Sequence, residues 1–380
     1  MRYLSTWLAV ICMIVPVPTV RGHEPQAWEP AALTDDIPYQ SLEELRSFYK
    51  LSTGVKSTQK GAFAIGNPDL NIEFGPGLRE MRIGGVNVEL CYPLRKDAAG
   101  NWLISRMDWV KWVDPILRPT YIHDRAKIST VVIDPGHGGH DMGMKTAQIN
   151  EPETTLQVAS KLREELVRMG YKVALTRSGD YFLSDQQRVD VAQAAADAEQ
   201  ALFVSLHLNG GHAGAQGPTV YILSPSEDDA HARPGNKFDS RHAALAYALQ
   251  SALAACSGTR GGGCRHVRYS LLSSIPAPAA WIELGYATHE QEGPTLATPA
   301  YQTKLAQAIA QGIATYAKAT DPTATIPVQQ QRVPTKPVAT PPAKTATNAS
   351  SKGRSGSSQG SKSNTSTKTR NSTRRTRSSR

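Results

Sequence analysis

The chain has 380 residues, 40% hydrophobic and 20% charged, and is long enough for more than one folded domain. Its net charge of +9 comes from the end of the chain, because residues 321–380 contain 12 Lys and Arg residues and one acidic residue. The other 320 residues carry 30 basic and 32 acidic residues. This excludes a strongly basic folded region.

The first 22 residues (1–22) are typical of a signal peptide. Arg2 precedes an apolar run from Trp7 to Val15, and small residues near Gly22 suit cleavage. The run is too short to cross a bilayer, although a membrane anchor is the alternative interpretation. No later segment is long and apolar enough to span a membrane. We therefore expect a soluble, exported protein of the periplasm or cell envelope.

Three cysteines remain after this leader. Cys256 and Cys264 flank a Gly-rich segment that could close as a disulfide in an oxidising compartment. Cys91 lies in an apolar run, which favours a buried thiol. No C-x-x-C pair occurs, so the sequence does not predict a structural zinc knuckle.

The part of the chain before residue 121 predicts a small domain. Residues 23–40 are Pro-rich and are predicted as an irregular linker, and residues 41–120 as an α+β module. Ser41 and Glu44 form a capping-box pattern at the start of a helix. Strands are expected at 71–74, 79–85, 86–94 and 101–105, and a closing helix at 107–117.

Residues 127–319 have the pattern of an α/β domain. Strands are predicted at 128–134, 171–177, 201–207, 219–224 and 279–286, and helices at 152–170, 184–198, 240–255 and 301–319. Continuously apolar strands alternating with amphipathic helices indicate a central, mostly parallel sheet covered by helices on both faces.

Residues 320–380 are predicted to be a disordered basic tail, rich in Ser, Thr, Lys and Arg. Such a tail suits nucleic-acid phosphates, but it has no aromatic residue to stack on bases. For an exported protein we expect no nucleic acid as a partner. The predicted partner of the tail is an anionic cell-wall or membrane surface.

Three polar residues stand where ligands bind in open α/β sheets, at the carboxyl ends of strands. They are His137, His207 and Glu283. Each is embedded in apolar sequence, where an unpaired charge is costly and a metal or a mutual partner relieves that cost. A lone histidine or glutamate here has an ordinary structural explanation, but three together favour a metal site.

A catalytic zinc ion commonly has two His ligands and one carboxylate. His137 and His207 supply the imidazoles, and the next helix offers Glu151 or Glu153. Glu151 is favoured because it stands at the helix entrance, whereas Glu153 in the first turn suits the helix dipole. Asp134 is expected to orient His137.

These residues lie in four segments that resemble the zinc-dependent N-acetylmuramoyl-L-alanine amidases of the type 3 amidase family. The resemblance covers about residues 128–318, and its segments are VVIDPGHGGHDMG, NEPETTL, LFVSLHLN and PAAWIELGY. It implies that His137, Glu151 and His207 bind zinc and that Glu283 is the catalytic acid/base. The implied substrate is the amide bond between N-acetylmuramic acid and L-alanine in peptidoglycan. Cell-wall remodelling, including daughter-cell separation, is the implied role.

The same resemblance places Arg188 in the family's second helix and Asn209 in the block that carries a zinc ligand, so both are candidates for supporting the site or binding substrate. Two positions depart from the family pattern: Pro152 follows Glu151 where Lys is usual, and Ser273 replaces a frequent Arg. These departures concern the fit of the substrate more than the metal.

Two other functions compete with the amidase. One is a zinc carboxypeptidase-like hydrolase, but the chain lacks the H-x-x-E ligand pair of that type. The other is a non-catalytic peptidoglycan-binding protein on an amidase scaffold, which Ser273 keeps open. The presence of all three ligand candidates and of Glu283 favours the enzyme.

Overall fold

The structure is a computed structural model that describes residues 38–57, 63–67, 70–75, 79–195, 199–211, 214–224 and 237–323. The predicted signal peptide, most of the predicted linker and nearly all of the basic tail lie outside the described residues. Those three predictions stay predictions. Within the described ranges, no helix is both long enough and apolar enough to cross a membrane.

The first part of the chain forms short strands with a few helical turns. Its elements are β1 (Tyr39–Ser41), α1 (Leu42–Phe48), β2 (Thr53–Ser57), β3 (Phe63–Gly66), β4 (Asn71–Phe74), β5 (Glu80–Ile83), β6 (Val86–Glu89), β7 (Arg95–Lys96), β8 (Trp102–Ser105), α2 (Arg106–Asp108) and α3 (Asp114–Leu117). A π-helical turn at Trp109–Val113 joins α2 to α3. Ser41 caps α1 by accepting a hydrogen bond from the Glu43 N–H.

The second part alternates strands and helices as predicted. Its elements are β9 (Thr130–Pro135), α4 (Glu151–Arg168), β10 (Lys172–Leu175), α5 (Asp185–Ala195), β11 (Ala201–Asn209), β12 (Thr219–Leu223), α6 (Asp239–Ser257), β13 (Gly263–Val267), α7 (Ser270–Ser274), β14 (Ala279–Tyr286), α8 (Glu292–Leu296) and α9 (Pro299–Thr320).

One sheet of eleven strands runs through both parts, in the order β10-β9-β11-β14-β12-β13-β6-β5-β4-β3-β2. The four neighbouring strands β10, β9, β11 and β14 are parallel to one another, whereas β12 is antiparallel to β14. A separate small sheet has the order β1-β8-β7. The fold class predicted from the sequence is confirmed.

The two faces of the parallel strands are covered by different helices, because successive side chains in a strand point to opposite faces. Val131 and Ile133 belong to the larger core with α4, α6 and α9. Val132 and Phe203 belong to a second core with α5 and α7. All four side chains are almost fully buried, so the sheet is the middle layer of three.

The segment Gly263–Val267, which begins in the Gly-rich run after Cys256, was not predicted to be a strand. It forms β13, which pairs with β12 along its length and with β6 through Cys264 and Val88. The strand was not predicted because it begins in a Gly-rich run. It links the α/β part of the sheet to the N-terminal strands. The domain boundary between residues 120 and 127 stays a prediction.

The strand β13 also bears on the predicted disulfide. The Cys264 side chain is fully buried in the core, and the sulfur atoms of Cys256 and Cys264 are not bonded to each other. The structure does not form the predicted bridge, and it places Cys264 on a core strand rather than in a loop. Cys91 is a buried thiol, as expected.

The fully buried His242 in α6 predicts a specific sensitivity of the fold to acid. Burial lowers the pKa of His242 from 6.5 to about 4, so between these values the unfolded chain binds the proton more readily. The free energy of unfolding therefore falls as the pH falls through this window. We expect His242→Leu to reduce the loss of stability between pH 7 and pH 5 by roughly 2 kcal/mol, measured by urea unfolding at both pH values. The control is His123→Leu at an exposed position, and an equal pH dependence in both variants would contradict the prediction.

Candidate metal centre and active site

Three neighbouring strands bring the predicted site residues to one edge of the sheet. β11 lies between β9 and β14, and His207 on β11 is paired in register with Glu283 on β14. His137 follows the end of β9, and the Gly136 N–H donates to the Leu206 carbonyl of β11. Because these strands are parallel, their carboxyl ends meet where ligands bind in open sheets.

Two imidazole nitrogens and one carboxylate oxygen form an equilateral triangle at this edge. His137 Nε2, His207 Nδ1 and Glu151 Oε1 lie 3.2 Å from one another. Two imidazoles and a carboxylate form a donor set typical of zinc, and tetrahedral coordination with bonds of 2.0–2.1 Å separates the ligand atoms by about 3.3–3.4 Å. The triangle therefore fits a zinc ion in size as well as in chemistry. Among the described residues, this is the one group of His, Cys, Asp and Glu side chains close enough to hold a metal.

Glu151, the favoured of the two candidate carboxylates, points into the triangle. Its Oε1 accepts from the Leu208 N–H at 2.8 Å, and its Oε2 accepts from the Met144 N–H at 2.6 Å. Although burial opposes its charge, hydrogen bonds from the two imidazoles hold the pKa of Glu151 well below its usual value. Glu153 is exposed and accepts from the Gln157 amide instead, so it lies apart from the triangle.

The loop that carries His137 has a conformation that limits its neighbours. His137 has a φ of 59°, a left-handed value uncommon for residues other than glycine. A Cβ at Gly136 would lie 2.2–2.6 Å from atoms of the His207 ring, and a Cβ at Gly143 would lie 2.5 Å from the His137 ring. Glycine is needed at both positions because the imidazole rings occupy that space.

Asp141, rather than Asp134, contacts the His137 ring. His137 Nδ1 lies 2.9 Å from an Asp141 carboxylate oxygen, the arrangement that fixes a metal-binding imidazole with Nε2 facing the metal. Asp141 was not predicted as a site residue, although a carboxylate four residues after a candidate metal ligand could have indicated this contact. Asp134 accepts hydrogen bonds from Thr176, Ser205 and Arg188. Asp134 does not contact the His137 ring. It is linked to the His137 backbone through Arg188, which donates to both residues, and its role in orienting His137 stays a prediction.

Arg188 supports the histidine loop through its backbone. Its guanidinium donates to the Pro135 and His137 carbonyls, at 2.9 and 3.1 Å, and to the Asp134 carboxylate at 2.6 Å. The side chain is buried. Its position supports the expected role in organising the site, and the role stays a prediction.

A second buried arginine, Arg177, was not predicted. It donates to the Pro135 and Gly136 carbonyls at 2.9 and 2.7 Å, and to the Pro152 carbonyl at 2.8 Å. Arg177 therefore joins the loop before His137 to the helix turn that contains Glu151. The sequence carried no local signal for these contacts, because they depend on which distant segments become neighbours in the fold.

Glu283 lies beside the triangle in a partly apolar setting. Burial raises its pKa to about 7, despite a hydrogen bond from the Trp281 indole to Oε1 at 2.9 Å. Its other oxygen, Oε2, is buried and has no hydrogen-bond partner among the described residues. Burial also lowers the pKa of His207, which favours the neutral imidazole that binds metals.

The structure also describes the remaining predicted positions. Asn209 ends β11, where its carbonyl accepts from the Ala287 N–H, and a contact of its side chain with substrate stays a prediction. Pro152 is buried in the first turn of α4. Ser273 in α7 is exposed, and its hydroxyl donates to the Ser270 carbonyl.

The part of the chain that contains this site is similar to known proteins. The family model described as N-acetylmuramoyl-L-alanine amidase matches residues 131–315, which include His137, Glu151, His207 and Glu283. The uncharacterized protein YqiI of Bacillus subtilis is 34% identical over 188 residues, covering 49% of this chain and 84% of YqiI. The chain belongs to the N-acetylmuramoyl-L-alanine amidase family. The predictions of family and of a hydrolytic enzyme of this class are therefore confirmed.

Other relatives of this amidase differ in how much of them the chain covers. The N-acetylmuramoyl-L-alanine amidase LytC of Bacillus subtilis is 30% identical, with 49% of this chain and 35% of LytC covered. The N-acetylmuramoyl-L-alanine amidase AmiA of Escherichia coli is 28% identical, with 53% of this chain and 83% of AmiA covered. The solved catalytic domain of the N-acetylmuramoyl-L-alanine amidase CwlV from Bacillus (Paenibacillus) polymyxa var. colistinus is 30% identical. The match covers 50% of this chain and 98% of that domain, with a TM-score of 0.43.

Because the His207 ring fills the space beside Gly136, adding one methyl group at this position should weaken zinc binding. Gly136→Ala would place a Cβ within the His207 ring, so we expect the imidazole to move out of the triangle. The affinity for Zn²⁺ should fall roughly 10–100-fold, the range seen when groups that orient metal ligands are altered.

The measurement is competition with a chromophoric chelator. The matched control is Gly179→Ala, whose Cβ would meet only the Tyr181 ring, at an ordinary 3.4 Å. Unchanged zinc affinity in Gly136→Ala would contradict the assigned position of His207.

Proposed function

We propose that this protein is an exported zinc amidase that hydrolyses the bond between the lactyl carbonyl of N-acetylmuramic acid and the nitrogen of L-alanine in peptidoglycan. The observation that carries the proposal is the triangle of His137, Glu151 and His207 with Glu283 beside it. Membership of the amidase family supports the same bond as the substrate.

The three triangle residues would hold the zinc ion. A bound zinc ion supplies Lewis acidity, which makes water a stronger nucleophile near neutral pH and polarises the substrate carbonyl. The chain's part is to keep the ligands in the required state and place. Burial lowers the pKa of His207, two backbone N–H groups hold the Glu151 carboxylate, and Asp141 fixes His137.

Glu283 is proposed as the acid/base. A carboxyl group with a pKa near 7 can both accept and return a proton at neutral pH. Its Oε2 is buried and has no hydrogen-bond partner among the described residues. Glu283 would accept a proton from the attacking water and deliver it to the leaving amine of L-alanine, so the free peptide departs with a neutral amino group.

The location and role of the enzyme follow from its substrate. Peptidoglycan lies outside the cytoplasmic membrane, so the proposed activity requires export, which the leader at residues 1–22 would provide. The basic residues after 320 would hold the enzyme near an anionic wall or membrane surface. Remodelling of the wall, including separation of daughter cells, is the proposed biological role.

The decisive experiment for this function is product analysis. Purified peptidoglycan sacculi are digested with the zinc-loaded protein, and the soluble products are identified by mass spectrometry. We expect intact stem peptides with an L-alanine amino terminus, and no such peptides after treatment with a chelator. Glu283→Gln should retain zinc and lose about 100-fold or more in rate, since general acid–base catalysis contributes roughly 10²–10⁴-fold.

The alternatives give different outcomes in the same experiment. Products shortened at the carboxyl end of the stem peptide would indicate a carboxypeptidase-like hydrolase. Binding of sacculi without any released product, in a protein that holds zinc, would indicate a non-catalytic binding protein. Either result would overturn the proposed amidase.

A matched pair of carboxylates tests the ligand assignment separately. Glu151→Gln removes the negative oxygen that completes the triangle, so we expect the affinity for Zn²⁺ to fall by about 100-fold or more. Glu153→Gln changes the same residue type two positions later in the same helix turn and should leave zinc affinity unchanged. Zinc content is measured by elemental analysis after dialysis against a defined free zinc concentration. A loss of zinc in Glu153→Gln instead would reverse the assignment.

A further inference from the structure

Trp281 lies between two groups on which the proposed function depends. Its indole N–H donates to Glu283 Oε1 at 2.9 Å. Its ring stacks on the His207 imidazole, with ring centroids 3.5 Å apart and planes within 9°. One side chain thus contacts the proposed acid/base and a proposed metal ligand at the same time.

The position of Trp281 in the strand explains the hydrogen bond to Glu283. Residues two apart in a strand lie on the same face, so the indole and the carboxylate of β14 project from the same side of the sheet. The indole N–H is a donor only, so it holds Oε1 by a hydrogen bond and cannot accept a proton from the Glu283 carboxyl group. The Oε2 atom is buried and has no hydrogen-bond partner among the described residues.

The indole itself is held on more than one side. The Tyr269 ring packs against it with centroids 4.7 Å apart and an interplanar angle of 55°. Tyr269 is 39% exposed, so this contact lies toward solvent, whereas the His207 side is buried. Packing by two rings restricts the rotamer of Trp281 and, through the hydrogen bond, that of Glu283.

We propose that Trp281 is a positioning residue for the amidase reaction. By holding Oε1 it fixes the orientation of the Glu283 carboxylate, which exchanges the proton with water and with the leaving amine, while its ring keeps the His207 imidazole in place. This inference rests on the proposed role of Glu283, and its test separates the two claims.

The test uses Trp281→Phe, which retains an aromatic ring against His207 but lacks the N–H. Rates are measured with a soluble N-acetylmuramoyl peptide and the zinc-loaded full chain. We expect kcat to fall about 10–100-fold, part of the 10²–10⁴-fold that acid–base catalysis supplies. KM and zinc affinity should change by less than about threefold, because the loss is confined to the reaction step.

A double-mutant cycle identifies the route of the effect. If Trp281 acts through Glu283, Trp281→Phe should cause no further loss of kcat in the Glu283→Gln background, since residues that act as a unit are non-additive. The matched control is Trp112→Phe, which also removes a buried indole hydrogen bond, to the Glu89 carbonyl of β6, a strand three places from β14 in the sheet. This variant should retain wild-type kcat.

Each result is decisive. If Glu283→Gln lowers kcat and Trp281→Phe does not, the positioning role is wrong and the proposed function stands. Equal losses from Trp281→Phe in both backgrounds indicate a general structural effect and also overturn the inference. If Glu283→Gln has no effect, the proposed acid/base fails, and the inference fails with it.

A second replacement keeps the test valid if Trp281→Phe folds poorly. Replacing Trp281 with benzothienylalanine exchanges the indole N–H for sulfur and leaves the shape of the ring system almost unchanged. We expect the same loss of kcat from this single change of donor. Wild-type kcat in the benzothienyl protein would show that the N–H is not needed and would overturn the inference.

Discussion

The structure depends on the convergence of three lone-pair donors in a small, largely buried volume. Two imidazole nitrogens and one carboxylate oxygen lie 3.2 Å from one another, which is unfavourable unless a cation or shared protons occupy the space between them. The surrounding chain is built to hold them there. Glu151 receives two backbone hydrogen bonds, His137 is fixed by Asp141, and the His207 ring is covered by Trp281.

The same constraint explains the backbone around the site. Gly136 and Gly143 leave room for the imidazole rings, and His137 itself has a left-handed backbone conformation. Arg177 and Arg188 bind the carbonyl groups of the loop that precedes and includes His137. Each arginine satisfies several buried acceptors, so the loop keeps one conformation without regular secondary structure.

Much of this site could be predicted from the sequence, because its elements have strong local signals. Apolar runs ending in a polar residue located His207 and Glu283, and the helix entrance at Glu151 located the third ligand. Longer-range features had no such signal. Nothing local indicates that Arg177 reaches the Pro152 carbonyl or that Gly263–Val267 pairs with β6, since both depend on which distant segments become neighbours in the fold.

The central claim is that His137, Glu151 and His207 bind one zinc ion. Its most direct test is a crystal structure of the zinc-loaded protein with anomalous diffraction recorded on both sides of the zinc absorption edge. We expect one strong anomalous peak with His137 Nε2, His207 Nδ1 and Glu151 Oε1 each about 2.0–2.2 Å away. A fully loaded protein whose zinc peak lies elsewhere, or whose ion lacks one of these three ligands, would contradict the claim.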